Sequence, residues 1–84
     1  GDGRRSVYGT INDQGQIVQG KGFTLTTFVN NRYIIHFDEP FKEIPQFWIS
    51  ATDNGQINWY KIIDLQNVEF SGVGNLIQFE AKGK

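Results

Sequence analysis

No stretch of about twelve residues in this chain escapes a glycine, a proline or a crowd of β-branched side chains, and an isolated helix needs about that length to persist in water. Helical spacing of apolar residues is correspondingly hard to find. What recurs instead is the two-residue alternation by which a strand turns one face inward. Val7-Tyr8-Gly9-Thr10-Ile11 runs into Asn12-Asp13-Gln14-Gly15, and Gln16-Ile17-Val18 returns as a short first hairpin. Its turn uses Asn or Asp as local acceptors and Gly for a positive φ. Phe23-Thr24-Leu25-Thr26-Thr27-Phe28 sets Phe23 and Leu25 against Thr24 and Thr26. After Asn30-Asn31, Arg32-Tyr33-Ile34-Ile35-His36-Phe37 carries Tyr33, Ile35 and Phe37 on a common face, so the two segments predict a second hairpin.

Pro40 and Pro45 bracket Phe41-Lys42-Glu43-Ile44. A proline cannot donate to a sheet ladder, so this stretch reads as a crossing loop whose Phe41 plugs the core. From Gln46 to Ala51 alternation resumes, Phe47, Ile49 and Ala51 against Gln46, Trp48 and Ser50. Asp53-Asn54-Gly55-Gln56 is the strongest turn signal, because Asn-Gly suits type I′ geometry, and it predicts that Gln56 to Ile63 pairs back across it. Val68 and Phe70 alternate around Glu69, and Ser71-Gly72-Val73-Gly74-Asn75 turns the chain into Leu76-Ile77-Gln78-Phe79-Glu80-Ala81. About seven or eight short strands with turns at roughly 8–12-residue intervals predict an all-β fold, an antiparallel β-sandwich or small barrel, with the sandwich preferred.

Eighty-four residues support one core, and a domain of this size buries only about 60% of the surface its unfolded chain exposes. Seven Phe, three Tyr and two Trp must carry most of that burial, and a neighbouring copy can supply the remainder. The chain has no cysteine, hence neither a disulfide framework nor a thiolate metal site. Eight Lys and Arg stand against nine Asp and Glu, a scattered distribution of net charge −1. A phosphate backbone needs a concentrated basic surface, and Arg4-Arg5 is the nearest approach, so no nucleic-acid partner is expected. No apolar run approaches the roughly 20 residues that span a bilayer, and no membrane insertion is expected. Gly1-Asp2-Gly3-Arg4-Arg5-Ser6 reads as a linker or expression remnant ahead of a single domain over 7–84, in what is expected to be a piece of a longer chain.

Nucleophilic catalysis needs a hydroxyl or thiol beside a base that a third group orients. The sole histidine, His36, lies mid-strand with Ile34 and Asp38 as its neighbours by alternation. It is read as a surface or interface residue that could pair with Asp38, with ligand contact as the alternative. One histidine does not build an imidazole-rich zinc site. Asp38 and Glu39 are adjacent and point to opposite faces, unlike the facing carboxylates of a glycosidase. Asp13, Asp53 and Asp64 fall at turns, where backbone capping is the plain reading and calcium the other, although neither Asp13 nor Asp53 has EF-hand spacing. Gly20-Lys21-Gly22 and Gly72-Val73-Gly74 precede no helix and read as turns or bulges rather than phosphate cradles. No cofactor and no metal are expected, and the chain is not expected to be an enzyme.

Trp48, Trp59 and Tyr60 carry the functional signal. Trp48 falls opposite Phe47 and Ile49, and Tyr60 opposite Trp59, which predicts at least two large aromatics on the less buried face. Such clusters mark contact surfaces. Either this face packs on the second sheet or a neighbouring copy, with Trp48, Tyr60 and His36 at the interface, or a sugar stacks on Trp48 or Tyr60 with Asn58, Gln46 and Asn54 hydrogen-bonding around it.

The succession Gly9-Thr10-Ile11, Gly15-Gln16-Ile17, Gly20-Lys21-Gly22-Phe23-Thr24, Tyr33-Ile34-Ile35-His36-Phe37, Pro40-Phe41 and Ile44-Pro45 resembles a small β-sandwich head domain of bacterial and phage fibre, tail and collagen-like surface proteins. From Tyr33 through Pro45 to Val68 and Phe70 the chain is also similar to the H-type lectin domain. Where those lectins carry a basic and aromatic sugar-contacting cluster, this chain has Gly74-Asn75-Leu76 to Phe79. The resemblance implies a homo-oligomer, a trimer above all, acting extracellularly, at a cell surface or on a virion, in attachment or cell adhesion, with a cell-surface glycan as a further partner. The alternatives are an autonomous carbohydrate-binding module appended to an enzyme and a purely structural spacer.

Overall fold

The computed structural model describes residues 3–84. Gly1 and Asp2, part of the expected linker, lie outside the described residues. Eight strands follow one another: β1 (Ser6–Asn12), β2 (Ile17–Gly20), β3 (Phe23–Phe28), β4 (Arg32–Phe37), β5 (Gln46–Ala51), β6 (Gln56–Ile62), β7 (Asn67–Val73) and β8 (Leu76–Lys82). They form two four-stranded antiparallel sheets, β2-β1-β8-β5 and β3-β4-β7-β6. The small β-sandwich read from alternation is the fold the chain adopts.

Alternation decides which side of each strand is greasy. Val7 and Ile11 of β1, Ile77, Phe79 and Ala81 of β8, Phe47 of β5, Phe23 of β3, Tyr33, Ile35 and Phe37 of β4, and Val68 and Phe70 of β7 meet in one buried layer. Phe23 sits edge-on to Phe79 with centroids 4.8 Å apart, and Tyr33 stacks on Phe70 at 4.9 Å. Such ring pairs add about 0.5–1.5 kcal/mol each beyond their buried area. Gly9 makes the first contact possible, since a Cβ there would run into the Phe23 ring.

Two of the expected hairpins form as read. Asn12 caps the first turn, its Oδ1 accepting from the backbone N–H groups of Gln14 and Gln16 at 3.0 and 2.9 Å, while Gly15 takes φ +75°. Phe23 to Phe28 pairs along its length with Phe37 to Arg32, and Asn30 and Asn31 at the tip both have positive φ, which asparagine tolerates better than most residues.

The third expected hairpin does not form. Gln46–Ala51 and Gln56–Ile62 lie in different sheets, β5 paired with β8 and β6 with β7. Thr52 donates its N–H to the Leu76 carbonyl at 3.0 Å and accepts from Gly55 at 2.9 Å, with Asp53 and Asn54 at φ 50° and 63°. This tight turn ends on Gly55, which lies against the Val73 carbonyl and Gly74 where a side chain would collide. The Asn-Gly pair therefore marks a crossing between sheets. Its glycine answers a close approach of backbones, and the positive φ values fall on Asp53 and Asn54.

The expected linker also shortens. Ser6 opens β1, and Arg5 donates to the carbonyls of Pro40 at 2.7 Å and Glu39 at 2.5 Å while its guanidinium covers the Phe41 ring at 4.1 Å. The Arg5 carbonyl accepts from Gly83 at 2.8 Å. An arginine that bonds two loop carbonyls and stacks on an aromatic face is part of the folded domain, although it stays partly in solvent.

Phe41 closes that end of the sandwich as a plug, 1% exposed and edge-on to Phe37 at 5.1 Å. Its N–H donates to the Leu65 carbonyl at 2.8 Å. Phe41→Ala should lower unfolding free energy by about 3–5 kcal/mol, the usual cost of emptying a buried Phe site. Urea denaturation with an unchanged m-value would check it, and a loss under about 1 kcal/mol would show that the loop does not seal the core.

Candidate functional site

β5 and β6 are the edge strands of their sheets on the same side of the sandwich. Between and beside them runs an open groove of about 560 Å³, floored by Phe47 and Phe79 and walled by Trp48, Tyr60, Gln78 and Glu80. Trp48 stands on the outer face of its sheet and is 50% exposed. Tyr60 does not share that kind of position. The β6 ladder shifts between Ile57 and Trp59, so Asn58 bulges and the alternation moves by one residue. Tyr60, opposite buried Phe70, therefore turns inward at the open edge, its ring 5.1 Å from that of Phe47, and remains 48% exposed. Trp59 takes the outer position opposite Ser71. The groove thus brings Trp48 and Tyr60 together from different sheets and different faces, which correct alternation without a bulge cannot foresee.

The three expected polar companions stand elsewhere. Asn58 donates from Nδ2 to Ser71 Oγ at 3.1 Å and accepts from Gln56 Nε2 at 2.7 Å, so it fills the bulge. Asn54 lies in the crossing turn with φ 63°. Gln46 faces outward opposite Lys82, beyond the groove.

His36 lies on the outer face of the other sheet, exposed, with Thr24 and Asn67 as cross-strand neighbours. Its partner is Asn67 rather than the expected Asp38. Asn67 donates from Nδ2 to both Asp64 oxygens at 3.1 and 3.3 Å, which leaves its Oδ1 to accept from His36 Nδ1 at 2.8 Å. The carboxylate thereby fixes the imidazole tautomer through an amide. Gln66 stands 3.5 Å from Nε2 but bonds the Phe37 carbonyl at 2.9 Å. Among the described residues no hydroxyl bonds His36, and the cluster orders the end of β7 instead of assembling a nucleophile.

The Asp64 carboxyl is held below its usual range. The backbone N–H of Gln66 is the main cause, followed by the Asn67 amide, with the Asn67 N–H and the His36 charge adding to it against a small opposing effect of burial. A carboxyl whose folded pKa is depressed contributes stability above its unfolded pKa and loses it as pH falls through the folded value. Acid titration followed by urea midpoints should therefore show a destabilising limb below the usual carboxylate range that is shallower in Asp64→Asn. Equal limbs in the two proteins would rule the effect out.

The two outer faces differ in how their polar groups are used. On β3-β4-β7-β6 the register sets Phe28, Arg32, Ser71 and Trp59 in one rung. Arg32 Nε bonds Glu69 Oε2 at 3.2 Å and its guanidinium lies 5.3 Å from the Phe28 ring centre, Ser71 is bonded to Asn58 and Asn67 to His36, while Thr24, Thr26 and Lys61 on the same face have no side-chain partner among the described residues. On β2-β1-β8-β5 the central polar side chains Gln46, Ser50, Gln78 and Glu80 have no side-chain partner among the described residues.

Fold and geometry together define a small β-sandwich with an aromatic edge groove and two chemically unlike outer faces. No family model matches the chain, and neither a curated protein nor a solved structure matches it. Among the described residues no group of three or more His, Asp or Glu side chains is placed to hold a metal ion, and no helix is long and apolar enough to cross a membrane.

Proposed function

We propose that the chain is a non-enzymatic attachment and assembly module of an oligomeric surface, fibre or virion protein. It self-associates, as a trimer, through the outer face of β3-β4-β7-β6 and turns the other sheet toward its ligand. The observation that carries this reading is the pairing of Arg32 with Glu69 and of Asn58 with Ser71 around exposed Phe28 and Trp59. Side chains already bonded to one another can be covered with far less loss than ones that must give up water without replacement. Aromatic and arginine side chains are also those that dominate interface cores. His36 belongs to this face, whereas Trp48 lies on the far side of the sandwich, which moves the proposed interface from Trp48 and Tyr60 to Trp59 and Phe28. A cyclic trimer joins two different patches of each copy, and the surface around Phe28 and Trp59 is one of them.

Static light scattering should return a mass near three times the 9.6 kDa of one chain. Trp59→Lys should reduce it to a single chain while far-UV dichroism stays that of a β protein, because a desolvated lysine at an interface core is costly. A wild-type protein that is strictly monomeric at millimolar concentration, or a Trp59→Lys protein of unchanged mass, would overturn the proposal.

A further inference from the structure

The geometry points to an extended, neutral glycan as the ligand of the β2-β1-β8-β5 sheet, laid across its strands with sugar rings on Trp48 and Tyr8. This inference rests on the attachment reading, whose ligand class it names. Register places Trp48 opposite Glu80 and Tyr8 opposite Glu80, so the three form a single outward rung. Trp48 is 50% and Tyr8 60% exposed. Two interstrand steps separate the aromatic positions, about 9.6 Å, which is close to the length of a disaccharide in a straight chain.

A depression lies at each end of the rung. The groove of about 560 Å³ opens beside Trp48, and a second of about 320 Å³ opens beside Tyr8, reaching Gln19 and Lys21. They flank the rung on opposite sides, as an elongated ligand laid across the strands requires. In the neighbouring rung Gln78 lies between Ser50 and Thr10. These side chains and Glu80 have no protein partner among the described residues.

The chemistry of that surface matches a pyranose chain. One side of a sugar ring is a plane of C–H bonds that packs on an aromatic face, where the ring quadrupole is negative. Its edge is a row of hydroxyls that both donate and accept, which amides, hydroxyls and a carboxylate can satisfy. A second copy of the chain fits less well. Its apolar groups would bury Gln78, Ser50 and Glu80 without supplying partners, and unsatisfied buried groups cost about 1–3 kcal/mol each. Glu80 is the only charge in the rung, with Lys82 one rung on along the same face and Lys21 in the far depression. Between the two stacking positions Glu80 accepts from hydroxyls and repels carboxylate or sulfate, which favours neutral rings at its sides.

Titration of the 15N-labelled oligomer with cellohexaose and with N-acetylchitohexaose, followed through the two tryptophan indole N–H signals, tests the site. Either straight-chain sugar should shift the Trp48 signal and leave that of Trp59 in place. Tyr8→Ala should weaken binding by about tenfold, the size of one aromatic stacking contact. Tyr8 lies outside the Trp48–Tyr60 groove, so this variant reports on the rung alone. Heparin, as an anionic probe, should not move the Trp48 signal. No shift with either neutral sugar at millimolar concentration, or equal affinity in Tyr8→Ala, would overturn the glycan site while a trimeric mass upheld the assembly. A monomeric protein whose Trp48 shifts with sugar would sink the assembly and leave the glycan site standing.

Discussion

The ring of Phe79 ties the sandwich together. From the centre of one sheet it meets Phe23 on the edge strand of the other at 4.8 Å and Phe47 on its own neighbour at 6.0 Å. Phe47 passes the contact on to Tyr60 at 5.1 Å. Four rings thus run from β3 to β6 through the middle of the molecule, and they tie both edges of one sheet to the centre and one edge of the other. A chain of 84 residues with no disulfide has few other means of holding two layers in one orientation. The same run of rings sets the edge groove, because Tyr60 can stand half in water only while Phe47 supports it from below.

Much of this was legible in the sequence, and the part that was not has a definite cause. Period-two alternation says which side of a strand faces inward, and on β3, β4, β5 and β7 it named the inward residues correctly. It is silent about which strand lies alongside. Gln46–Ala51 and Gln56–Ile62 would present the same inward faces as a hairpin in one sheet or as two edges in different sheets, so nothing in their alternation separated the cases. Asn54-Gly55 seemed to break the tie, yet its glycine is required by backbone crowding against Val73 and Gly74. A turn motif reports that the chain reverses within a few residues, and a reversal between layers uses the same residues as one within a layer.

The candidate site failed at the bulge. Asn58 reads as an ordinary outward residue in an alternating strand, and its bonds to Gln56 and Ser71 became visible only with the partner strand in place. One inserted residue exchanged Trp59 and Tyr60 between the faces, as a register change must when the side-chain period is two. Trp48, on a strand without a bulge, was placed correctly. Tyr8 and Glu80 were passed over because rungs are long-range features: residues 8, 48 and 80 become neighbours only through the β1-β8-β5 order.

A binding surface built on strands inherits its precision from the core. Trp48, Glu80 and Tyr8 point outward because Phe47, Ile49, Phe79, Ala81, Val7 and Gly9 beside them point inward. Any slip of register that displaced the rung would also turn greasy side chains into water, so the proposed ligand face is held by the hydrophobic free energy of the fold. Loops could not hold two rings two strands apart without ordering cost on binding, whereas paired strands have met that cost in folding. The proposed glycan contact is shallow and individually weak, and repetition of a rigid face on each copy of an oligomer raises its effective concentration without deepening the site. In the proposed division between the sheets, the face where Arg32–Glu69 and Asn58–Ser71 are already paired around Phe28 and Trp59 is the one a neighbour covers, and the face with free amides and a carboxylate is the one left open to hydroxyls.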